Sequence, residues 1–151
     1  MNSCGKIKLW TDGACKGNPG PGGWGVMIIY PDGNRVDLYG GENNTTNNRM
    51  ELLAVIQGLK RLNKEFLNID IYTDSKYVLN GMTKWINNWK RNNWRTSTGK
   101  EVKNIDLWKN LCDQVMCYNV MWYWVEGHSK NEGNDVADRL ANFGVSSLFV
   151  D

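Results

Sequence analysis

The 151-residue chain has few residues that bind zinc through sulfur or imidazole: one histidine, His128, and four cysteines that form no C-x-x-C pair. Structural zinc sites usually need such ligands at close spacing, so no structural zinc site is expected. The scattered thiols, Cys4, Cys15, Cys112 and Cys117, are typical of a protein kept in a reducing cytoplasm.

Long apolar runs are also lacking. The sequence has no stretch of about 18 apolar residues and no N-terminal run of signal-peptide length, so neither membrane spanning nor secretion is predicted, and a cytoplasmic location is expected. Eighteen Lys and Arg against 16 Asp and Glu give a net charge of only +2. The total charge therefore excludes no class of partner. The length predicts a single domain over residues 1–151.

The first part of the chain reads as a meander of three strands. Apolar and polar residues alternate over 7–12, which predicts a strand with Asp12 near its end and a Gly/Asn/Pro loop after it. A buried strand over Gly25–Tyr30 and its partner over Arg35–Gly41 flank a tight turn at 31–34.

The second part alternates helices with strands. The pattern predicts a helix over Met50–Leu62, a strand over Asn68–Asp74, a helix from Lys76 to about Met82, a helix over Asn104–Met116, a buried strand over Asn119–Val125 and a helix from Asn134 to about Val145. A strand followed by a helix implies a parallel crossover. We therefore expect an α/β fold with a mixed sheet and helices on its faces.

Four acids occupy places where a carboxylate needs an explanation. Asp12 and Asp74 end strands, Glu51 lies in the first turn of a helix that also buries apolar groups, and Asp138 lies in the last helix. Each has an ordinary explanation when taken alone: a turn for Asp12, a favourable helix N-terminal charge for Glu51, a helix N-cap for Asp74, and an ion pair with Arg139 for Asp138.

Taken together, the four acids are expected to converge at one edge of the sheet. Clustered carboxylates repel one another, so such a cluster persists when divalent metals bind it, and oxygen ligands suit Mg²⁺ or Mn²⁺. Two such ions about 4 Å apart would activate a water and stabilise the leaving oxygen in phosphodiester hydrolysis. His128, with an unperturbed pKa of about 6.5, would suit a proton shuttle.

A basic, tryptophan-rich segment covers residues 83–103. It places three tryptophans among six cations with one acid: Trp85, Trp89 and Trp94 among Lys84, Lys90, Arg91, Arg95, Lys100 and Lys103, with Glu101. We expect Trp94 and Trp108 to be structural, because large aromatic residues at helical or turn spacing usually pack in a core.

Five sequence blocks, in order along nearly the whole chain, resemble type 1 ribonuclease H. They are TDGACKGNPGPGG around Asp12, TTNNRMEL around Glu51, YTDSKYV around Asp74, the segment WKRNNWRTSTGKEVKNIDLW, and GHS followed ten residues after His128 by Asp138 in NDVADRLAN. The resemblance implies the ribonuclease H fold, a five-stranded mixed sheet flanked by helices on both faces. It also implies Mg²⁺-dependent endonucleolytic cleavage of the RNA strand of RNA–DNA hybrids, which leaves 3′-hydroxyl and 5′-phosphate ends.

The resemblance also implies roles for single residues. Asp12, Glu51, Asp74 and Asp138 would be the ligands of two metal ions, and His128 would be the mobile catalytic histidine. Asp135 is a competing choice for the fourth acid; Asp138 is preferred because Asp-Arg-Leu-Ala is the part that matches.

The same resemblance implies a surface for the hybrid duplex. Cys15, Asn18, Asn47 and Asn48 would line its minor groove, where amides can contact the 2′-hydroxyls that distinguish RNA from DNA. Thr46 and Asn104 would hold a phosphate of the DNA strand. The remaining substrate residues would support the deoxyribose side or attract phosphates: Tyr77, Trp85, Trp89, Lys90, Arg91 and Arg95.

The chain departs from the family pattern in two places. Lys130 stands where a glycine commonly follows the His-Ser pair, which would affect turnover more than the type of reaction. The chain begins almost at the first strand, so a separate hybrid-binding module is not expected and low processivity is predicted. A monomer with no obligate protein partner and no membrane association is also expected.

Two alternatives to this enzyme remain. One is a hybrid-binding module without catalysis, which would require the loss of an acid. The other is a nuclease of the same fold that acts on DNA, such as a resolvase or a transposase. The basic tryptophan-rich segment and the asparagines of the predicted minor-groove surface argue against it.

Overall fold

A computed structural model of the chain describes residues 5–62, 66–127 and 131–149. Within these residues one sheet is formed by five strands: β1 (Lys6–Cys15), β2 (Gly20–Ile29), β3 (Arg35–Thr45), β4 (Asn68–Thr73) and β5 (Asn119–Trp124). The strands lie in the order β3-β2-β1-β4-β5. The first three are antiparallel, whereas β4 and β5 run parallel to β1. The predicted five-stranded mixed sheet is confirmed.

Helices pack on both faces of the sheet. They are α1 (Asn47–Arg61), α2 (Lys76–Asn80), α3 (Ile86–Arg91), α4 (Ile105–Val115) and α5 (Glu132–Ser147). A π-helical turn, Gly81–Trp85, joins α2 to α3, so this helical run extends past the predicted end near Met82. None of the helices in the described ranges has the length and apolar character that crossing a bilayer requires.

The main core lies between the sheet and α1, with α4 behind it. The inward side chains of β1, β4 and α1 are fully buried there, and so is Trp108 of α4, which confirms its predicted structural role. Helix α5 covers β1, β2 and β3 on the opposite face, where Met27, Val136 and Leu140 form a smaller cluster.

Strands β1, β2 and β3 extend further than the sequence pattern predicted. β1 continues through the supposed loop to Cys15, which pairs with Gly22, and β3 continues from the predicted end at Gly41 to Thr45. The pattern failed because β2 is rich in glycine where α5 approaches most closely. A Cβ on Gly23, which precedes the predicted strand, would lie 2.6 Å from the Val145 nitrogen of α5, so close packing excludes the larger residues that mark a strand.

The prediction that β5 is a buried strand is wrong. It lies at the edge of the sheet, and Met121, Tyr123 and Trp124 are exposed. Within β5, Val120 and Trp122 pack against the main core, whereas Met121 and Tyr123 lie on the opposite face, beyond the three strands that α5 covers. An apolar run at an edge strand cannot be distinguished from a buried strand by composition alone.

Gly81→Ala should destabilise the fold. The new Cβ would lie 2.6 Å from one ring carbon of Trp108 and 2.7 Å from another, and overpacking of this kind typically costs about 1–3 kcal/mol. Urea unfolding of the variant should show a lower midpoint than the wild type. Asn87→Ala, on the exposed side of α3, is the matched control and should not change the midpoint. An unchanged midpoint for Gly81→Ala would mean that this contact is not tight.

Candidate active site

Three of the predicted acids, Asp12, Glu51 and Asp74, meet at the end of the sheet where the pairing of β1 with β4 stops. β1 and β4 are paired in parallel up to the residue before Asp12 and before Asp74, so the two carboxylates lie side by side. Glu51 comes from the start of α1, which packs so closely on β1 that a Cβ on Gly13 would lie 2.6 Å from the Glu51 nitrogen. One carboxylate oxygen from each of the three acids lies within 4.8 Å of the others.

Burial and neighbouring negative charges disfavour the ionised forms of Asp12 and Glu51. Asp12 is 4% exposed and Glu51 is 6% exposed. Burial, followed by the neighbouring Asp74 charge, raises the pKa of Asp12 to about 8, although the Gly13 N–H donates a 2.9 Å hydrogen bond that opposes the shift. Burial, then the charges of Asp12 and Asp74, raises the pKa of Glu51 well above its usual range. Glu51 Oε1 is buried without a hydrogen-bond partner.

Asp138, on α5, joins this group through Asp12. Asp138 is half-buried. Its hydrogen bond to the Asp12 side chain and its charge raise the pKa of Asp12 further, although the burial of Asp12 and the charge of Asp74 have the larger effects. Asp135, the competing choice, is exposed. The helical period explains the difference: Asp138 lies four residues after the buried Asn134 and three before the buried Ala141, whereas Asp135 shares its face with the exposed Arg139, four residues later.

His128 and Lys130 lie outside the described residues. The chain on either side is described: Gly127 lies so close to Asp74 that a Cβ on it would be 2.9 Å from the Asp74 Oδ2 atom. The chain resumes at Asn131, which is the N-cap of α5 and accepts a 3.0 Å hydrogen bond from the Asn134 N–H.

The residues predicted for the minor groove come together beside the acids. Asn18 Oδ1 accepts a 3.1 Å hydrogen bond from the Asn47 N–H, which ties the loop after β1 to the start of α1. Cys15 Sγ lies 3.5 Å from the Thr45 carbonyl oxygen, immediately before the N-cap of α1. Asn18, Asn47 and Asn48 are exposed, so their amide groups are available to a ligand.

Asn104 and Tyr77 form part of a continuous hydrogen-bond network. Asn104 Nδ2 donates to the Tyr77 hydroxyl oxygen at 3.1 Å, and the buried Trp108 Nε1 donates to the same oxygen at 3.0 Å. Arg49 Nη1 donates to Asn104 Oδ1 at 3.3 Å, and the Arg49 N–H donates to the Thr46 hydroxyl oxygen, the N-cap of α1. The network therefore joins the first turns of α1 and α4.

Trp85 and Trp89 line an open cavity of about 460 Å³ on the basic segment. Their ring centroids are 5.7 Å apart, and Trp85 is 37% exposed. The rest of the wall is polar and is formed by Asn88, Asn92, Arg95, Thr96 and Ser97. The exposed Lys90 and Arg91 end α3 close by in sequence. An aromatic floor with polar and cationic walls suits a nucleic-acid backbone.

Comparisons with known proteins show which family the chain belongs to. The family model for RNase H matches residues 5–146. The chain belongs to the ribonuclease H family. Ribonuclease H of Marinobacter nauticus is 54% identical over 144 residues, which cover 95% of this chain and 97% of that protein.

Solved structures of ribonucleases H share the fold. LC9-RNase H1, a type 1 RNase H with the type 2 active-site motif, is 33% identical with a TM-score of 0.84, and the match covers 95% of this chain and 73% of that chain. LC11-RNase H1 in complex with RNA/DNA hybrid is 24% identical with a TM-score of 0.73, over 95% of this chain and 99% of that chain. The predicted family, fold and enzyme class are confirmed.

The sequence patterns did not identify three residues that the structure places at these surfaces: Arg49, Asn88 and Asn92. Arg49 lies within the TTNNRMEL block but has no periodic or motif signal of its own, since its partners Asn104 and Asp106 are more than 50 residues away. Asn88 and Asn92 were recognisable only after α3 was known to be helical. They lie three residues after Trp85 and three after Trp89, so they share their face.

Proposed function

We propose that this ribonuclease H hydrolyses the RNA strand of RNA–DNA hybrids with divalent metal ions, leaving 3′-hydroxyl and 5′-phosphate ends. The observation that carries the proposal is the group formed by the buried Asp12 and Glu51 and the half-buried Asp74, in which one carboxylate oxygen from each lies within 4.8 Å of the others on a ribonuclease H fold. The hybrid is the ligand of LC11-RNase H1, which has the same fold.

The residues of the site fit two Mg²⁺ ions, with Mn²⁺ as the alternative. All the side-chain donors are carboxylate oxygens, and Glu51 Oε1 is a buried acceptor without a hydrogen-bond partner. Asp12, Glu51, Asp74 and Asp138 would hold the ions. When bound, the ions would supply Lewis acidity at the attacking water and at the leaving 3′ oxygen.

The protein's own groups would orient the phosphate and move protons. Asp12 is the centre of the arrangement because its carboxylate lies within 4.8 Å of a carboxylate oxygen of Asp74 and is hydrogen-bonded to the Asp138 side chain, and the Gly13 N–H donates a hydrogen bond that holds it in place. His128 would transfer the proton to or from the water or the leaving group, since an imidazole can change its charge near neutral pH. All four proposed metal ligands belong to one chain, which supports a monomer. We also propose a cytoplasmic location.

Selection of RNA in a hybrid would come from the polar surface beside the acids. The exposed amides of Asn18, Asn47 and Asn48 can donate to and accept from 2′-hydroxyls, which only RNA carries. The cavity at Trp85 and Trp89 would take the sugar and backbone of the DNA strand. A nuclease with these two surfaces reads the kind of strand rather than the base sequence.

A cleavage assay with labelled strands tests this proposal against the two alternatives. A hybrid and a DNA duplex of the same sequence should be incubated with Mg²⁺, and the ends of the products identified. We expect cuts in the RNA strand only, with 5′-phosphate ends. Cuts in the DNA duplex would favour a DNA nuclease of the same fold, and hybrid binding without cuts would favour a non-catalytic module.

The basic segment should make hybrid binding depend steeply on salt. Removal of two phosphate contacts in Lys90→Ala/Arg91→Ala should reduce the slope of log K against log salt by about 2 and weaken binding at low salt. The matched control is Lys60→Ala/Arg61→Ala, which removes the same charge from the exposed far end of α1. Equal slopes for the two variants would contradict a phosphate-binding role for the segment.

A further inference from the structure

Two residues hold the side chain of Arg49: Asn104, the N-cap of α4, and Asp106, in the first turn of α4. Its guanidinium donates two hydrogen bonds to Asp106, Nη1 to Oδ1 at 3.0 Å and Nη2 to Oδ2 at 2.8 Å. Nη1 also donates to Asn104 Oδ1 at 3.3 Å. A planar guanidinium held in this way has a fixed position, because a bidentate carboxylate pair is both short and directional.

Arg49 fixes which way the Asn104 amide points. The amide oxygen accepts from Arg49, so the Nδ2 group must face the other side, where one of its hydrogens is donated to the Tyr77 hydroxyl oxygen. If the amide were turned over, its NH₂ group would face a guanidinium, which has only donors. Asn104 also has an unusual left-handed backbone, with φ 60° and ψ 30°, so its side chain starts from a defined direction.

A count of donors and acceptors shows what the network leaves for a ligand. The Tyr77 oxygen accepts from both Asn104 Nδ2 and Trp108 Nε1, and Asn104 Oδ1 accepts from Arg49. Asn104 Oδ1 keeps a second lone pair on the side that faces Arg49. Of the hydrogens on Asn104 and Tyr77, two remain without a partner in the network: the second Nδ2 hydrogen of Asn104 and the hydroxyl hydrogen of Tyr77. Both are donors, and both residues are only partly buried.

We propose that Arg49 is a positioning residue that sets this polarity, so that Asn104 and Tyr77 turn hydrogen-bond donors toward the substrate and select one of its phosphates. Arg49 acts through Asn104 and does not itself touch the substrate. This proposal rests on the proposed function, because Asn104 must contact the hybrid for the orientation of its amide to matter. The backbone geometry of Asn104 places the amide; the guanidinium decides which of its two ends faces outward.

A double-mutant cycle in the full-length protein tests the proposal. The dissociation constant for a labelled RNA–DNA hybrid, kcat and KM should be measured for Arg49→Ala, Asn104→Ala and the double variant. Each single change should weaken hybrid binding by about 10-fold, the size expected for one lost hydrogen bond to a charged group, and should raise KM more than it lowers kcat. The double variant should bind no worse than Asn104→Ala, since Arg49 has nothing to act on there.

Two further variants separate positioning from charge and from folding. Arg49→Lys keeps the positive charge and the ion pair with Asp106, but an ammonium cannot reproduce the planar fork, so the loss of binding should persist. Arg61→Ala, at the other end of α1, should bind like the wild type. Thermal unfolding of every variant shows which of them are folded; Arg49→Lys provides the test if Arg49→Ala is not.

Several results would overturn the proposal. Losses that multiply to about 100-fold in the double variant would show that Arg49 and Asn104 act independently. Full recovery in Arg49→Lys would mean that charge alone is required. If the wild-type protein cleaves the hybrid but the cycle is additive, only the role of Arg49 fails; if the wild type neither binds nor cleaves the hybrid, the proposed function fails with it.

Discussion

Asp12→Asn should reduce cleavage of the RNA strand by at least about 10³-fold, while its affinity for the hybrid should change by less than about threefold. Asp12 lies within 4.8 Å of both Glu51 and Asp74 and is hydrogen-bonded to Asp138, so the neutral amide removes the central negative ligand of the proposed metal site. The surfaces proposed to hold the duplex, the basic segment and the exposed amides of Asn18, Asn47 and Asn48, use none of these acids. The variant should therefore still bind the hybrid but cleave it very slowly.

The measurement is single-turnover cleavage of a labelled hybrid, with binding followed by fluorescence anisotropy. Asp138→Asn and Asp135→Asn provide a matched pair on one helix. Asp138→Asn should lose most of the activity, and Asp135→Asn should remain active because Asp135 is exposed. Mg²⁺-dependent turnover at the wild-type rate by Asp12→Asn would contradict the metal-ligand assignment.

The second large effect is on stability in the absence of metal. Burial and the Asp74 charge raise the pKa of Asp12 to about 8, whereas an aspartate in the unfolded chain titrates at about 3.9. Between these two values the folded protein keeps a proton that the unfolded chain has released. Asp12 therefore makes metal-free protein lose stability as pH rises from about 4 to about 8, and Glu51, whose pKa is also raised, acts in the same direction.

Asp12→Asn should remove much of this loss, and Mg²⁺ should compensate for it. At pH 8 without metal, we expect the variant to melt roughly 5–10 °C above the wild type, with a much smaller difference at pH 5. Mg²⁺ should raise the melting temperature of the wild type more at pH 8 than at pH 5, because protons compete with the cation. Calorimetry with and without chelator measures both effects. If the melting temperatures of the two proteins differ by the same amount at every pH, burial and the neighbouring charges do not raise the pKa of Asp12.

The strand and helix order, and the convergence of the acids, could be predicted from sequence because local patterns carry both. Asp12 and Asp74 come directly after the last paired residues of two recognisable parallel strands, Thr11 and Thr73, so they share one end of the sheet. Glu51 and Asp138 lie on helices with clear apolar faces. The helical period also separates Asp138 from Asp135 once Asn134 and Ala141 are known to be buried.

The rest depended on contacts between distant parts of the chain. The glycines of β2 look like loop residues in sequence, and only the close approach of α5 shows why a strand needs them. The exposure of β5 follows from the strand order, which its composition does not contain. The role of Arg49 depends on Asn104 and Asp106 in another helix and its cap, so no local pattern could reveal it.

The most direct test of the proposed activity uses one labelled RNA strand, presented alone, paired with RNA and paired with DNA, each with Mg²⁺ and with chelator. We predict cuts only in the DNA-paired strand and only with the metal. That result would establish the substrate, the metal requirement and the reaction together. Cuts in all three forms would contradict selection through the minor groove, and cuts in the presence of chelator would contradict a metal-dependent site.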